Sequence, residues 1–251
     1  MKLSHIRALV TRPEPQAQAL ADAIKEFGGQ AWPVPMLAIE ALAETQAMRD
    51  CLLMLHQFDH IIVTSRPAAR LGGELIERYW PQLPVHCRWF AIGSSTAAEL
   101  ERFAIKAQYS PTGADSEALL ALDAFNHVQN KRFLIIKGVG GREVLEQQLR
   151  NAGASVHTLD VYQRTRPTYE RNAVVKKLES HSINVILCGS GETLTNLGYY
   201  LPMAYRADYR LLVPSERVAR QAHSLGFQQV TNTGGASNEM MLPALARICL
   251  L

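Results

Sequence analysis

The sequence predicts an α/β protein built from two parallel sheets, and three observations carry the prediction. Residues 131–167 hold a strand, a glycine turn, a helix and a second strand in one short stretch. Apolar strand patterns alternate with helical ones along almost the whole chain, and the later part of the chain rhymes with the middle at a constant offset.

Taken in order, the first strand is expected at 8–11, where Ala8, Leu9 and Val10 run into Thr11. Pro13 and Pro15 suit the loop and first turn of a helix that reaches Phe27, and Gly28-Gly29 ends it. A strand at 30–34 completes a βαβ unit, after which 36–42 reads as extended chain leading away. A helix is expected at 45–56, then strands at 60–63, 89–92 and 107–109, each followed by a helical pattern. In the central unit, Phe133, Leu134, Ile135 and Ile136 form a short, partly β-branched run of the kind buried on both faces of a sheet. Gly138, Gly140 and Gly141 make a turn. Val144, Leu145 and Leu149 recur at helical spacing over 142–150, and Gly153 stands where a C-terminal cap belongs. With a second strand at 155–159, this unit can close only as a parallel, right-handed βαβ crossover. Further strands are expected at 183–187, 209–213 and 228–231.

The internal repeat sets the domain organisation. Ile92-Gly93-Ser94-Ser95-Thr96-Ala97-Ala98 lies opposite Val213-Pro214-Ser215-Glu216-Arg217-Val218-Ala219, and Thr112-Gly113-Ala114-Asp115-Ser116 opposite Thr233-Gly234-Gly235-Ala236-Ser237; 215 − 94 and 233 − 112 both give 121. Val63-Thr64-Ser65 matches the region of Leu187-Cys188-Gly189, and the unit from Leu9 to Val34 matches that from Leu134 to Val156. The middle of the chain then carries its strands in the order three, four, five, one, two, a circular permutation. The expected architecture is two doubly wound, flavodoxin-like domains. A discontinuous outer domain covers 1–37 and 166–251, and an inserted domain covers 38–165. Two extended crossings, at 36–42 and 161–166, join them as a hinge. The alternative is one doubly wound sheet of ten strands, a width uncommon for open sheets.

Composition narrows the function. The chain has 251 residues, 47% of them hydrophobic, enough for one large or two ordinary cores. A formal net charge of +3 is only mildly basic, and no Lys/Arg run interleaves with aromatics, which argues against a nucleic-acid groove and for a small acidic ligand. Cys51, Cys87, Cys188 and Cys249 are far apart in apolar surroundings and read as buried thiols. No apolar stretch has membrane-spanning length and the first residues hold no hydrophobic signal region, so the expected compartment is the cytoplasm, with no membrane partner.

Ligand chemistry in open α/β sheets sits beyond the carboxyl ends of the strands. Those ends read Thr11-Arg12, Thr64-Ser65, Ser94-Ser95-Thr96, Lys137-Gly138, Gly140-Gly141, Ser190-Gly191 and Ser215, small hydroxyl or glycine residues at helix starts where free N–H groups attract anions. The competing reading of each hydroxyl is a plain helix cap. Gathered in one cleft, such turns suit a polycarboxylate or polyphosphate. Gly138-x-Gly140 with Asp160 about 20 residues on suggests a dinucleotide fingerprint. The third glycine position holds Glu143, however, whose carboxylate would oppose a pyrophosphate. The eight histidines are scattered without HExxH spacing, so no metal is expected, and no GxSxG elbow occurs. Tyr162, on the second crossing, either packs or works at the cleft.

Several segments together resemble the uroporphyrinogen-III synthase family over essentially the whole chain. They are Leu9-Val10-Thr11-Arg12-Pro13, Ala91-Ile92-Gly93 with Thr96-Ala97, Ser116-Glu117 before Leu119-Leu120, Ile136-Lys137-Gly138-x-Gly140-Gly141-Arg142-Glu143, Val161-Tyr162-x-Arg164, and Ser215-x-Arg217-Val218-Ala219 with Leu225-Gly226-Phe227. Arg66-Pro67 and Cys188-Gly189 depart from the family's pattern. The resemblance implies a two-lobed hydro-lyase of tetrapyrrole biosynthesis that needs no metal or organic cofactor. It would cyclise linear hydroxymethylbilane to uroporphyrinogen III with loss of water, through an azafulvene and a spiro intermediate that inverts the last ring. A pyrrole is electron-rich, so catalysis is mainly by orientation. Tyr162 is the expected catalytic residue, donating to the leaving oxygen, with Thr96, Ser190 and Ser215 positioning carboxylates. The partner is this small molecule; a monomer is expected, in transient contact with the preceding enzyme of the pathway. The competing classes are a two-lobed sensor of an anion and a nucleotide-dependent enzyme using the turn at Gly138.

Overall fold

The structure is a computed structural model, and it describes residues 2–140 and 143–248. Along the chain run β1 (Arg7–Val10), α1 (Gln16–Glu26), β2 (Gln30–Pro33), β3 (Ala38–Ala41), α2 (Gln46–Leu53), β4 (His60–Val63), α3 (Arg66–Tyr79) and β5 (Arg88–Ala91). There follow α4 (Ser94–Glu101), α5 (Ser116–Leu120), β6 (Arg132–Gly138), α6 (Val144–Asn151), β7 (Ser155–Thr165), α7 (Ala173–Ser180) and β8 (Val185–Leu187). The chain continues through α8 (Gly191–Tyr200), α9 (Met203–Arg206), β9 (Arg210–Val213), α10 (Glu216–Ser224), β10 (Val230–Asn232) and α11 (Asn238–Ile248). The strands form two sheets of five, in the orders β10-β9-β8-β1-β2 and β3-β7-β6-β4-β5.

The chain divides into two compact units, one of Met1–Ala38 with Thr165–Leu251, the other Ile39–Arg164. In the first, β1 pairs in parallel with β2 and β8, and β9 with β8 and β10. Alternate strand residues face opposite ways, so each sheet face builds its own core. Ala8, Val10, Val185 and Leu187 pack with Leu20 and Ile24 of α1 and Leu245 of α11. Leu9, Ile186 and Leu211 pack with Val174 of α7, Leu194 of α8 and Val218 of α10.

The second unit repeats the plan. β4 pairs in parallel with β5 and β6, and β6 with β7. Ile61, Val63, Leu134 and Ile136 face Leu52 of α2, Ala68 and Ala69 of α3 and Leu100 of α4, while Ile62, Phe90, Phe133 and Ile135 face Leu119 of α5 and Leu145 of α6. Each of the valine, leucine, isoleucine and phenylalanine side chains, fully withdrawn from water, contributes about 1.5–3 kcal/mol. α3 lies close on the sheet because it carries glycines: a Cβ on Gly72 would come within 2.8 Å of Ile136 Cγ2.

The expected strand at 107–109 is instead a single bridge, Phe90 to Gln108. Gln108 exchanges both backbone bonds with Trp89 and Ala91. Pairing then ends at Ser110, whose hydroxyl contacts that of Thr112, with Pro111, which lacks an N–H, between them. The expected second strand of the central unit and the second crossing are one element, β7. Helix α6 begins at Val144, two residues later than expected; Gly141 and Arg142 lie outside the described residues.

Candidate active site

β6 and β7 carry the site in the second unit. Their register runs evenly from Arg132 opposite Ser155 to Lys137 opposite Asp160, then slips so that Gly138 faces Tyr162. This bulge changes where the tyrosine points. Strict alternation would send Tyr162 to the face opposite Leu159 and Val161, but all three join one core cluster. A bulge re-aims a side chain in this way. The ring, 3% exposed, rests on Gly138, where a Cβ would stand 2.4 Å from its Cζ. Backbone pairing resumes beyond the slip, with Val139 N–H donating to Tyr162 C=O at 2.8 Å.

The phenol oxygen lies 3.1 Å from Ser65 Oγ. Ser65 is the N-cap of α3, its oxygen accepting from Ala68 N–H at 3.2 Å. Around this pair is a cavity of about 450 Å³, lined by Thr64, Ser65, Lys137, Gly138, Gly140 and Tyr162, and also by Asp115, Ser116, Glu146 and Arg164. Thr64 turns its hydroxyl to Ile136 C=O at 3.3 Å. Lys137 Nζ lies 3.8 Å from Glu146, which also accepts from Arg150 at 2.9 Å. Charge in the described lining is mixed, Lys137 and Arg164 against Asp115 and Glu146. Asp115 caps α5 through Ala118 N–H at 2.8 Å.

Ser94, Ser95 and Thr96 are not among the residues lining this cavity. Helix α4 has Gly93 as its N-cap without a side-chain bond, leaving Ser94 and Ser95 exposed and uncommitted as caps. Thr96 is 2% exposed, buried at the start of α4. Gly141 lies outside the described residues.

In the first unit the expected residues are engaged in building the strand ends. Thr11, fully buried, donates to Leu187 C=O at 2.8 Å and contacts Cys188 Sγ. Burial pushes the Cys188 thiol up to about 12, so it stays protonated. Arg12, 7% exposed, bonds Asn238 Oδ1 at 2.8 Å and Ala236 C=O, tying β1 to the start of α11. Burial lowers its pKa, against the raising effect of Glu239. Ser190 and Thr193 form a reciprocal capping box on α8, and Ser215 caps α10 through Val218 N–H at 3.5 Å. At Gly191 a Cβ would meet Gln221 Oε1 at 2.5 Å and Arg217 Nη1 at 3.4 Å. The exposed Arg217 therefore stands beside this turn, a neighbour that sequence reasoning placed only within a motif.

Asp115, Ser116, Glu146 and Arg164 were likewise missed as lining residues. Arg164 carried a signal, since i and i+2 on a strand share a face and it follows Tyr162 by two. Asp115 and Ser116 sat in the repeat, after the strand expected at 107–109. No group of three or more ligating side chains able to hold a metal occurs among the described residues, and none of their helices is long and apolar enough to cross a membrane.

Residues 18–240 match the family described as Uroporphyrinogen-III synthase HemD. A uroporphyrinogen-III synthase of Salmonella typhimurium is 33% identical over 242 residues, covering 94% of this chain and 98% of its own. One from Escherichia coli is 32% identical over 245 residues, with the same coverage, 94% and 98%. Among solved structures, the uroporphyrinogen-III synthetase of Helicobacter pylori superposes with a TM-score of 0.61 at 12% identity over 97% of this chain and 99% of that one. A mutant uroporphyrinogen III synthase of Thermus thermophilus gives 0.60 at 16% identity over 98% and 100%. At these identities the two structures speak for the fold, which is two-domain α/β in both chains.

Proposed function

The chain belongs to the uroporphyrinogen-III synthase family, and from that premise we propose how its own residues carry the family's reaction. The chain cyclises hydroxymethylbilane to uroporphyrinogen III, a hydro-lyase step of tetrapyrrole and haem biosynthesis. The linear substrate must lose its hydroxymethyl oxygen as water, and the cation that remains must be attacked by the substituted carbon of the last ring. Tyr162 donates to the departing oxygen. The observation that carries this reading is a bulge that turns one buried phenol onto the cavity beside Ser65. Thr64, Lys137 and the backbone at Gly138 and Gly140 line the same cavity and meet the reacting end of the chain. Within the second unit the exposed α4 start at Ser94 and Ser95 suits a carboxylate, and within the first unit the turns at Ser190, Gly191 and Ser215 with Arg217 do so on their own. Thr11, Arg12 and Thr96 hold their turns in shape for this contact.

The second unit is, on this reading, a circular permutation of the first: the order β7-β6-β4-β5 parallels β2-β1-β8-β9, with the Gln108 bridge beside β5 where β10 stands beside β9. The described cysteines, Cys51, Cys87 and Cys188, are unpaired, which supports a reducing compartment, the cytoplasm. There the chain works as a monomer, with brief contact to the enzyme that supplies its unstable substrate.

Tyr162→Phe tests the central assignment because it removes one oxygen and keeps the ring. Turnover should fall by about 10²-fold, the lower end for a positioned general acid. The uninverted isomer should take a larger share as spontaneous closure competes. A well-folded Phe variant with near-normal turnover and isomer ratio would mean that the phenol only packs.

A further inference from the structure

We propose that Ser65 is a positioning residue that fixes the direction of the Tyr162 proton, so that the N-terminus of α3, Ser65 and Tyr162 form a one-way hydrogen-bond chain ending at the leaving oxygen. The inference rests on Tyr162 being the donor in the reading above, and it assigns to Ser65 a role other than substrate contact.

A serine hydroxyl has one proton and two lone pairs, and so does a phenol in effect. Ser65 Oγ accepts from Ala68 N–H at 3.2 Å, which occupies one lone pair, and its only other hydrogen-bond partner among the described residues is Tyr162 Oη at 3.1 Å. The Ser65 proton therefore has one protein acceptor, the phenol oxygen. Once it points there, the phenol proton has no other acceptor among the described residues and is left for the cavity that Tyr162 lines. The reverse arrangement would point the phenol proton at Ser65 and leave the serine proton, not that of Tyr162, for the cavity that both residues line. The helix settles the direction. An N–H at the positive end of the fourteen-residue α3 draws electron density from Ser65 Oγ and makes its O–H the better donor. The ring cannot swing away to choose another partner, because it is wedged on Gly138 and almost wholly buried.

During the reaction the C–O bond of the hydroxymethyl group breaks with its electron pair going to oxygen, which takes the Tyr162 proton and leaves as water. The pyrrole nitrogen supplies the electrons for the azafulvenium cation. The phenolate left behind keeps the Ser65 hydrogen bond. When the spiro intermediate has rearranged and ring closure releases a proton from carbon, that proton returns to Tyr162, and the cycle balances without any other reactant.

The test is a double-mutant cycle of Ser65→Ala and Tyr162→Phe, read as kcat, KM and product isomer on freshly made hydroxymethylbilane. Ser65→Ala should lower kcat by about tenfold, with KM within about twofold, since a positioning residue acts in the transition state. In the Tyr162→Phe background the same change should alter kcat by less than about twofold. Ser65→Gly keeps the helix start nearly intact and should lose as much kcat as alanine, whereas Ser65→Thr, which keeps both cap and hydroxyl, should recover most of it. Loss of KM alone in Ser65→Ala, an equal kcat loss in both backgrounds, or a normal kcat would each overturn the relay. If Tyr162→Phe is itself silent, the donor assignment fails instead, and if the wild-type chain makes no type III isomer, the reaction does.

Discussion

Gly138→Ala tests, with a single methyl, whether the placement of Tyr162 is what the site depends on. A Cβ at Gly138 would stand 2.4, 2.6 and 2.8 Å from Cζ, Cε2 and Cε1 of the ring. Carbon atoms settle at about 3.5–4.0 Å, so the ring must retreat by about 1 Å. Its oxygen then leaves Ser65, lengthening a 3.1 Å contact to about 4 Å, beyond a hydrogen bond. Overpacking of this kind costs about 1–3 kcal/mol. At about 2–4 °C per kcal/mol for a chain of this size, the melting temperature should drop by several degrees. Misplacing a reacting group by about 1 Å costs up to about 10²-fold in rate. The assay is turnover and isomer ratio beside thermal melts, with Gly138→Ala also made in a Tyr162→Ala background. Without the ring there is no clash, so the methyl should then cost almost no stability. A Gly138→Ala protein of normal stability and turnover would refute the wedge, and an equal destabilisation with the ring removed would assign the cost to the backbone.

Two further outcomes follow from other parts of the structure. His60 is 6% exposed, stacked 4.7 Å from Phe133 and 5.5 Å from Phe90, with no hydrogen-bond partner for either ring nitrogen among the described residues. Burial lowers its pKa below the usual 6.5, and nearby Arg88 adds to this while Asp59 opposes it. The unfolded chain then binds the extra proton more readily, so the contribution is complete above about pH 6.5 and is lost as pH falls below it toward the depressed folded value. Melts between pH 5 and 7.5 should show this acid sensitivity in the wild type and a flatter profile in His60→Phe; equal slopes would refute it. Exhaustive chelation should leave turnover unchanged, and loss restored by one metal would contradict the account.

Much of the fold was legible because it is local. The runs at Ile61-Ile62-Val63 and Phe133 to Ile136 announce strands buried on both faces, and Gly153 marks the end of α6 with a positive φ of 85°. The offset between Ser94 and Ser215 pointed to a repeated unit because like turns need like residues. What the sequence hid depends on pairing at long range. The slip at Val161 arises only when β7 is laid on β6, so nothing in Asp160-Val161-Tyr162 says that the tyrosine changes face. Ser65 meets Tyr162 across 97 residues. Hydroxyls at strand ends looked alike in sequence, yet Thr11 and Thr96 turn inward, Ser65, Ser190 and Ser215 cap helices, and Ser94 and Ser95 remain open; neighbours, not residue type, decide which. At 107–109, strand propensity was overruled by Pro111 and the Ser110–Thr112 turn, which left one bridge.

The most direct measurement is the product of the purified chain itself. Freshly prepared hydroxymethylbilane is incubated with it in the presence of chelator and without nucleotide, and the cyclic product is oxidised and separated by isomer. The account predicts predominantly the type III isomer, formed faster than spontaneous closure. Only the uninverted isomer, formed at the rate seen without protein, would contradict it.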